Sequence, residues 1–220
     1  MSVEIICDPG STHMGKKAYA LELIQIAADA GCNVIKFQLF PDLPLYLDKG
    51  NIPVPYGWFD ELLIAGKRCG IQVTASVFDE DAIELVAKKQ VPYIKFAYAR
   101  QHWLDKIQGL LNIGRKVMVS TDCEKDHLLP KHNNLIKLYC VAEYPVKSLL
   151  DFESLFFERF DGFSDHTLGW KQAVRAVKAG AKIIEKHIKL PYEDCDCPDS
   201  RFALSPEDLV HFVEVVRGAE

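Results

Sequence analysis

Eight short β-branched runs recur along this chain, each followed by a stretch of helical periodicity, and that alternation restricts the fold more than any other feature. The runs are VEIICD (3–8), NVIKFQ (33–38), IQVTAS (71–76), YIKFAY (93–98), KVMVST (116–121), LIKLYCV (135–141), DGFSD (161–165) and KIIEKHI (182–188). Such a pattern reads as parallel strands joined by crossover helices. Eight units predict a closed TIM (β/α)8 barrel, an α/β fold for which 220 residues are sufficient as one domain over 1–220.

The intervening segments support this reading. KKAYALELIQIAADAG, FDELLIAGKRCG, DEDAIELVAKK, HWLDKIQGLL, DFESLFFERF, GWKQAVRAVKAG and SPEDLVHFVEVVRG are amphipathic, and several stop at Gly, the residue that most readily takes the left-handed position after a helix. Ser205-Pro206-Glu207-Asp208 predicts a helix start, with Ser205 as cap, Pro206 in the first turn and two acids against the helix dipole. Between Thr121 and Leu135 the sequence DCEKDHLLPKHNN lacks helical periodicity and contains Pro130, so the fifth helix is expected to be reduced. Two connections, 41–57 and 191–203, are longer than the barrel needs. Both follow strands, which places them over the C-terminal mouth, where barrel enzymes carry their sites.

Charge and hydropathy exclude other classes. Lys and Arg total 26 against 31 Asp and Glu, a formal −5 without a basic block, so nucleic acid is not an expected partner. No segment approaches the ~20 apolar residues that span a bilayer, and MSVEIICDPG lacks the basic and apolar regions of a signal peptide; the expectation is a cytoplasmic protein without a membrane partner. Cys7, Cys32, Cys69 and Cys140 lie in apolar runs and read as buried thiols, whereas Cys195 and Cys197 read as exposed, either free or a redox-sensitive pair.

Side chains alternate faces along a strand. Lys36 shares a face with Gln38, Glu185 with His187, Ser120 with Met118 and Lys95 with Ala97, while Ile35 and Phe37 face the helices. The polar set then points into the barrel near its mouth, where an unpaired charge costs several kcal/mol. Lys36, Lys95 and Glu185 must pair with one another or meet a ligand. Two inward lysines beside Ser76, Ser120 and Ser164 suit a phosphate, lysine supplying charge and hydroxyls supplying direction. An internal ion-pair network is the alternative. His166 and His187 end neighbouring strands and can share one labile divalent ion, Mn²⁺, Mg²⁺ or Zn²⁺, in preference to a structural one; on this reading Asp165, His166, Glu185 and His187 together set a metal at the mouth. His13, in GSTHMGK between Gly10 and Gly15, is either a further mouth residue or a turn residue.

GSTHMG, AADAGCNVIKFQ, YIKFA, VMVST, YCVAEYP, GFSDHTLG, AGAKIIEKHIKL and PDSRFALSPEDL, in this order across nearly the whole chain, resemble the sialic acid synthase (N-acetylneuraminate synthase) family. SDHT followed by IEKH carries most of that likeness. The resemblance implies a TIM barrel that condenses phosphoenolpyruvate with an open-chain N-acetylamino sugar, giving a 2-keto sugar acid and phosphate with cleavage of the C–O bond of phosphoenolpyruvate. It assigns His166 and His187 to the metal and Lys36, Lys95, Ser120 and Ser164 to the phosphate, with Ser76 near the carboxylate. Glu185 and Asp199 are assigned to sugar contact or proton relay, and Tyr144 to sugar contact; Gln38, on the same face as Lys36, and His13 are counted with them as candidate substrate-binding residues.

The likeness is not complete. Met14 follows His13 where the family has Glu or Asn, Tyr98 stands where Ser follows the Lys95 strand, Ala142 replaces an Asn before Tyr144-Pro145, and Ser200 replaces a His after Asp199. Many members carry a C-terminal antifreeze-like domain that lends an arginine to the partner subunit's sugar site. This chain stops at Glu220, so the expectation is the barrel alone, with a homodimer as a candidate assembly. Two other functions fit the residues themselves: a metal-dependent pyruvate-type aldolase, which needs less phosphate binding, and a non-catalytic sugar-phosphate-binding barrel, which the changes at Met14, Tyr98 and Ala142 would suit.

Overall fold

The computed structural model describes residues 2–41, 47–148, 150, 152, 159–191 and 196–219. Parallel strands β1 (Glu4–Asp8), β2 (Val34–Leu39), β3 (Gln72–Val77), β4 (Ile94–Phe96), β5 (Val117–Thr121), β6 (Leu135–Cys140), β7 (Gly162–Asp165) and β8 (Ile183–His187) pair in sequence order. The barrel closes where β8 pairs with β1, Asp8 standing opposite His187. Every predicted run overlaps its strand, with ends shifted by a residue or two; β2 and β3 each run one residue past the predicted end.

The outer layer contains helices α1 (Lys17–Asp29), α2 (Phe59–Cys69), α3 (Glu80–Ala87), α4 (Leu104–Asn112), α5 (Lys171–Lys178) and α6 (Pro206–Arg217). α2 ends at Gly70, whose φ of +76° is left-handed and whose N–H returns to the Gly66 carbonyl. α6 starts as expected, Ser205 Oγ accepting the Asp208 N–H at 3.2 Å. The helix expected over 151–160 falls mostly on residues outside those described.

The fifth unit is reduced, as its composition predicts. Between β5 and β6 the chain makes only the short 3₁₀ turn Asp126–Leu128. Asp122 Oδ1 accepts the N–H groups of Glu124 and Lys125, both at 2.9 Å, a local turn that competes with a helix start. Buried Asp126 then pairs with Lys137 at 3.3 Å and with Arg159, tying this connection to the barrel wall.

Strand alternation produces two cores. Residues such as Ile35, Phe37, Val73, Phe96, Val119, Phe163 and Ile184 face outward and pack with α1 to α6. Ile6, Val34, Tyr93, Met118 and Leu138 face inward and fill the lower barrel, closing it to water. Gly162 allows β7 to approach β8 closely: a Cβ there would lie 2.1 Å from the Ile183 carbonyl oxygen. Cys7, Cys32 and Cys140 are buried as expected, and Cys69 is half-buried. Cys197 corrects the expectation of exposure, for it is buried and disulfide-bonded; Cys195 lies outside the described residues.

Candidate active site

Above the apolar floor, the inward positions turn polar in a single step. Asp8, Lys36, Gln38, Ser76, Lys95, Ser120, Cys140, Ser164, Glu185 and His187 line a cavity of about 410 Å³ that opens at the C-terminal mouth. Tyr144 from a loop, His166 just past β7 and Asp199 from the short 3₁₀ turn Pro198–Arg201 join it, with Lys49, Asn51, Phe78, Ala97, Tyr98, Ala99 and Pro198 completing the lining. Of the residues expected at the site, all but His13 and Asp165 meet in this one cavity.

 His13 is fully buried beside the cavity instead, edge-on to Trp58, with its Nδ1 accepting the Gly15 N–H at 3.1 Å. Burial lowers its pKa to about 4, so it is neutral.

Two ammonium groups define the cavity floor. Lys36 Nζ lies 2.6 Å from Asp8 Oδ2, 3.1 Å from Ser76 Oγ and 3.7 Å from Glu185 Oε2. Lys95 Nζ donates to Ser120 Oγ at 2.7 Å and lies 3.5 Å from Glu185 Oε1, which also accepts from Ser164 Oγ at 2.7 Å. Burial disfavours each charge here, and the network decides the outcome. For Asp8 burial is outweighed by Lys36 and His187, which hold the carboxyl below the usual range. For Glu185 burial is likewise outweighed, by Lys36 and Lys95. Lys36 is raised because Asp8 and Glu185 overcome its desolvation, whereas Lys95, with Glu185 as its main counterion, is lowered by burial.

The ion-pair alternative is therefore half right. The lysines do pair with carboxylates, yet Glu185 Oε2 and His187 Nδ1 are buried without a hydrogen-bond partner. Unsatisfied polar atoms in a cavity wall are the ordinary mark of a ligand site.

The two imidazoles come from the ends of β7 and β8, their ring centroids 5.6 Å apart. His166 Nδ1 lies 3.3 Å from the Val141 carbonyl, which favours a proton on Nδ1 and leaves the Nε2 lone pair free. Burial, and then neighbouring His187, lower the His166 pKa to about 3. His187 lies between carboxylates, Nε2 3.4 Å from Asp8 and Nδ1 3.7 Å from Asp199. Phe202 packs on both rings and Tyr144 on His166, at centroid distances of 4.9, 5.7 and 4.4 Å. A neutral imidazole with a free lone pair is the form that binds a metal, and two rings at this separation can share an ion held at about 2 Å from each nitrogen. Among the described residues no group of three or more His, Cys, Asp or Glu side chains could hold one. The residues fit a labile ion with two protein ligands.

Asp165 corrects the expectation that four motif residues surround a metal. It lies on the opposite face of β7 from Ser164, does not line the cavity, and pairs with Lys186. Sequence reasoning also missed Asp8 and Phe202. Asp8 was legible in principle, since it ends the first strand on the same face as Ile6. Phe202 was not, because nothing local aims it at the histidines. Asp199 is placed by Gly10, whose φ is +52° and where a Cβ would lie 2.4 Å from Asp199 Oδ2; the same oxygen accepts the Ser11 N–H at 2.9 Å.

A family model described as the NeuB family matches residues 48–220. The chain belongs to the NeuB family. Among curated proteins, it is 27% identical to N,N'-diacetyllegionaminic acid synthase of Campylobacter jejuni, over 93% of this chain and 72% of that protein. It is also 27% identical to a pseudaminic acid synthase of C. jejuni, over 99% of this chain and 74% of that protein. Among solved structures, the spore coat polysaccharide biosynthesis protein SpsE of Bacillus subtilis superposes with a TM-score of 0.83 at 27% identity, covering 99% of this chain and 68% of that one. The motifs SDHT and IEKH thus belong to a NeuB barrel in which they line adjacent strand ends.

Proposed function

We propose that this NeuB-family chain is a synthase that condenses phosphoenolpyruvate with an open-chain amino sugar, giving a sialic-acid-like 2-keto sugar acid and phosphate. The observation that carries this reading is the meeting of two buried ammonium groups and three serine hydroxyls with two imidazoles in one cavity. The names of the curated relatives, synthases of legionaminic and pseudaminic acids, support the product class.

Lys36, Lys95, Ser120 and Ser164 are the groups that would bind the phosphate, and Ser76 the carboxylate, since both anions need donors where water is scarce. In the reaction a C–C bond forms between C3 of phosphoenolpyruvate and the acceptor aldehyde carbon, water adds at C2, and the C2–O bond to phosphate breaks. His166 and His187 would hold a divalent ion, Mn²⁺ or Mg²⁺, which when bound would supply Lewis acidity toward the aldehyde and water. Glu185, ionised and with an Oε2 that makes no hydrogen bond, can accept a proton as water adds. Asp199, Gln38 and Tyr144, which line the cavity, would orient the acceptor. Phe78, Ala97, Tyr98, Ala99 and Pro198 give the rim apolar surface that suits acetamido or deoxy carbons. The substrates and ion are those of cytoplasmic metabolism, where we place the reaction.

The test is release of inorganic phosphate from phosphoenolpyruvate with Mn²⁺, with and without a panel of N-acetylated and deoxy hexosamines. Acceptor-dependent release is expected. No release with any sugar, in protein shown to bind Mn²⁺, would refute the synthase and favour the aldolase or the binding barrel.

A further inference from the structure

Asp165 and Lys186 occupy the centres of the two motifs, yet neither lines the cavity. They are register partners across β7 and β8. Both are 0% exposed, with Lys186 Nζ 3.3 Å from Asp165 Oδ2. Asp165 Oδ1 accepts from the Thr167 N–H at 2.8 Å and from Thr167 Oγ1 at 2.7 Å. Lys186 Nζ donates to the Thr167 carbonyl. A closed ring of contacts therefore grips the residues on both sides of His166. Its own carbonyl accepts the Val146 N–H at 3.0 Å, and its Nδ1 meets Val141.

Stability alone is a poor reason for such a pair. Replacing both members of a buried ion pair by uncharged residues of similar volume is often neutral or stabilising, because the desolvation of two charges is removed together. What the pair does supply is geometry. Ser164, His166, Glu185 and His187 face the cavity because the alternate residues face the helices, and a slip of one residue would exchange the two sets.

We propose that Asp165 and Lys186 are positioning residues that hold the His166 imidazole in register and tautomer against His187. The consequence for ion binding rests on the reading of both histidines as ligands; the consequence for the imidazole itself does not.

The test compares the wild type with Asp165→Asn/Lys186→Met, in which Asn keeps an acceptor for Thr167 and Met keeps the lysine stem. Three quantities are read: the thermal midpoint, the Mn²⁺ affinity by calorimetry, and the long-range ¹H–¹⁵N spectrum of the imidazoles in metal-free protein. The double variant should melt close to the wild type, bind Mn²⁺ about tenfold more weakly, as loss of an outer support to a ligand does, and show His166 as a mixture of tautomers. Asp165→Asn alone leaves Lys186 buried with only the Thr167 carbonyl, so it should melt below both, while its Mn²⁺ affinity and His166 spectrum lie between the two. A folded double variant with wild-type Mn²⁺ affinity and a wild-type His166 spectrum would overturn the proposal. So would a double variant that fails to fold, since the pair would then serve the fold and not the imidazole. A wild type that binds no Mn²⁺, with the His166 tautomer still lost in the variant, would sink the ion ligands and leave the positioning role standing.

Discussion

Replacing Asp8 by Asn removes the nearest counterion of Lys36 while keeping the shape and an oxygen for the Gly10 N–H, which Asp8 Oδ1 accepts at 2.8 Å. Lys36 then depends on Ser76 at 3.1 Å and Glu185 at 3.7 Å. Breaking a buried pair from one side costs roughly 3–5 kcal/mol, and the two surviving contacts put this site at about 3. At about 2–4 °C per kcal/mol for a chain of this size, the midpoint should fall by about 6–12 °C at pH 7. The pH dependence has a definite sign. The folded Asp8 carboxyl titrates below its unfolded value, so its contribution is complete above about pH 4 and is lost as pH falls towards the folded pKa. The gap between wild type and Asp8→Asn should therefore be constant from pH 7 to about pH 5 and narrow below about pH 4. The variant also leaves the cavity one charge more positive, so inorganic phosphate should raise its midpoint more than that of the wild type. Thermal melts across this pH range, with and without phosphate, decide the matter. An unchanged midpoint at pH 7, or a gap that widens in acid, would refute the account of the cavity as a charge-balanced network.

Three further outcomes are expected. His187→Ala should abolish calorimetric Mn²⁺ binding and metal-dependent phosphate release while lowering the midpoint only slightly; a large fall in metal-free buffer would assign His187 to packing instead. Ser120→Ala removes the 2.7 Å partner of Lys95 and should raise the KM for phosphoenolpyruvate about tenfold with a smaller effect on kcat, which steady-state kinetics can separate. Gly162→Ala forces a methyl against the Ile183 carbonyl, a backbone atom that cannot swing aside, and should cost about 3 kcal/mol, the upper end for overpacking; a melt within a degree of the wild type would contradict the close approach of β7 to β8.

Most of the site was legible because it is built from strand ends. Once Lys36, Lys95, Ser120, Ser164, Glu185 and His187 are assigned to strands, parity alone decides that they face inward, and closure of the barrel brings them together. Asp165 was misread through the same rule neglected: one residue from His166, it must face the other way, and its partner Lys186 stands opposite. His13 was ambiguous because a turn has no parity, and its burial beside Trp58 depends on a residue far along the chain. Phe202, which packs both imidazoles, had no local signal at all.

The sequence by itself determined the order of elements, the reduced fifth unit, the inward polar set and the family, because each of these rests on local periodicity, turn chemistry or motif order. Only the tertiary structure decided which charges pair. Lys36 chooses Asp8 over Glu185 as its close partner, and Glu185 divides itself between two lysines, because barrel closure sets β1 beside β2 and β8 and fixes distances that no spacing along the chain encodes. Electrostatic energy depends on separation in space and on burial, and both arise only when the eighth strand meets the first.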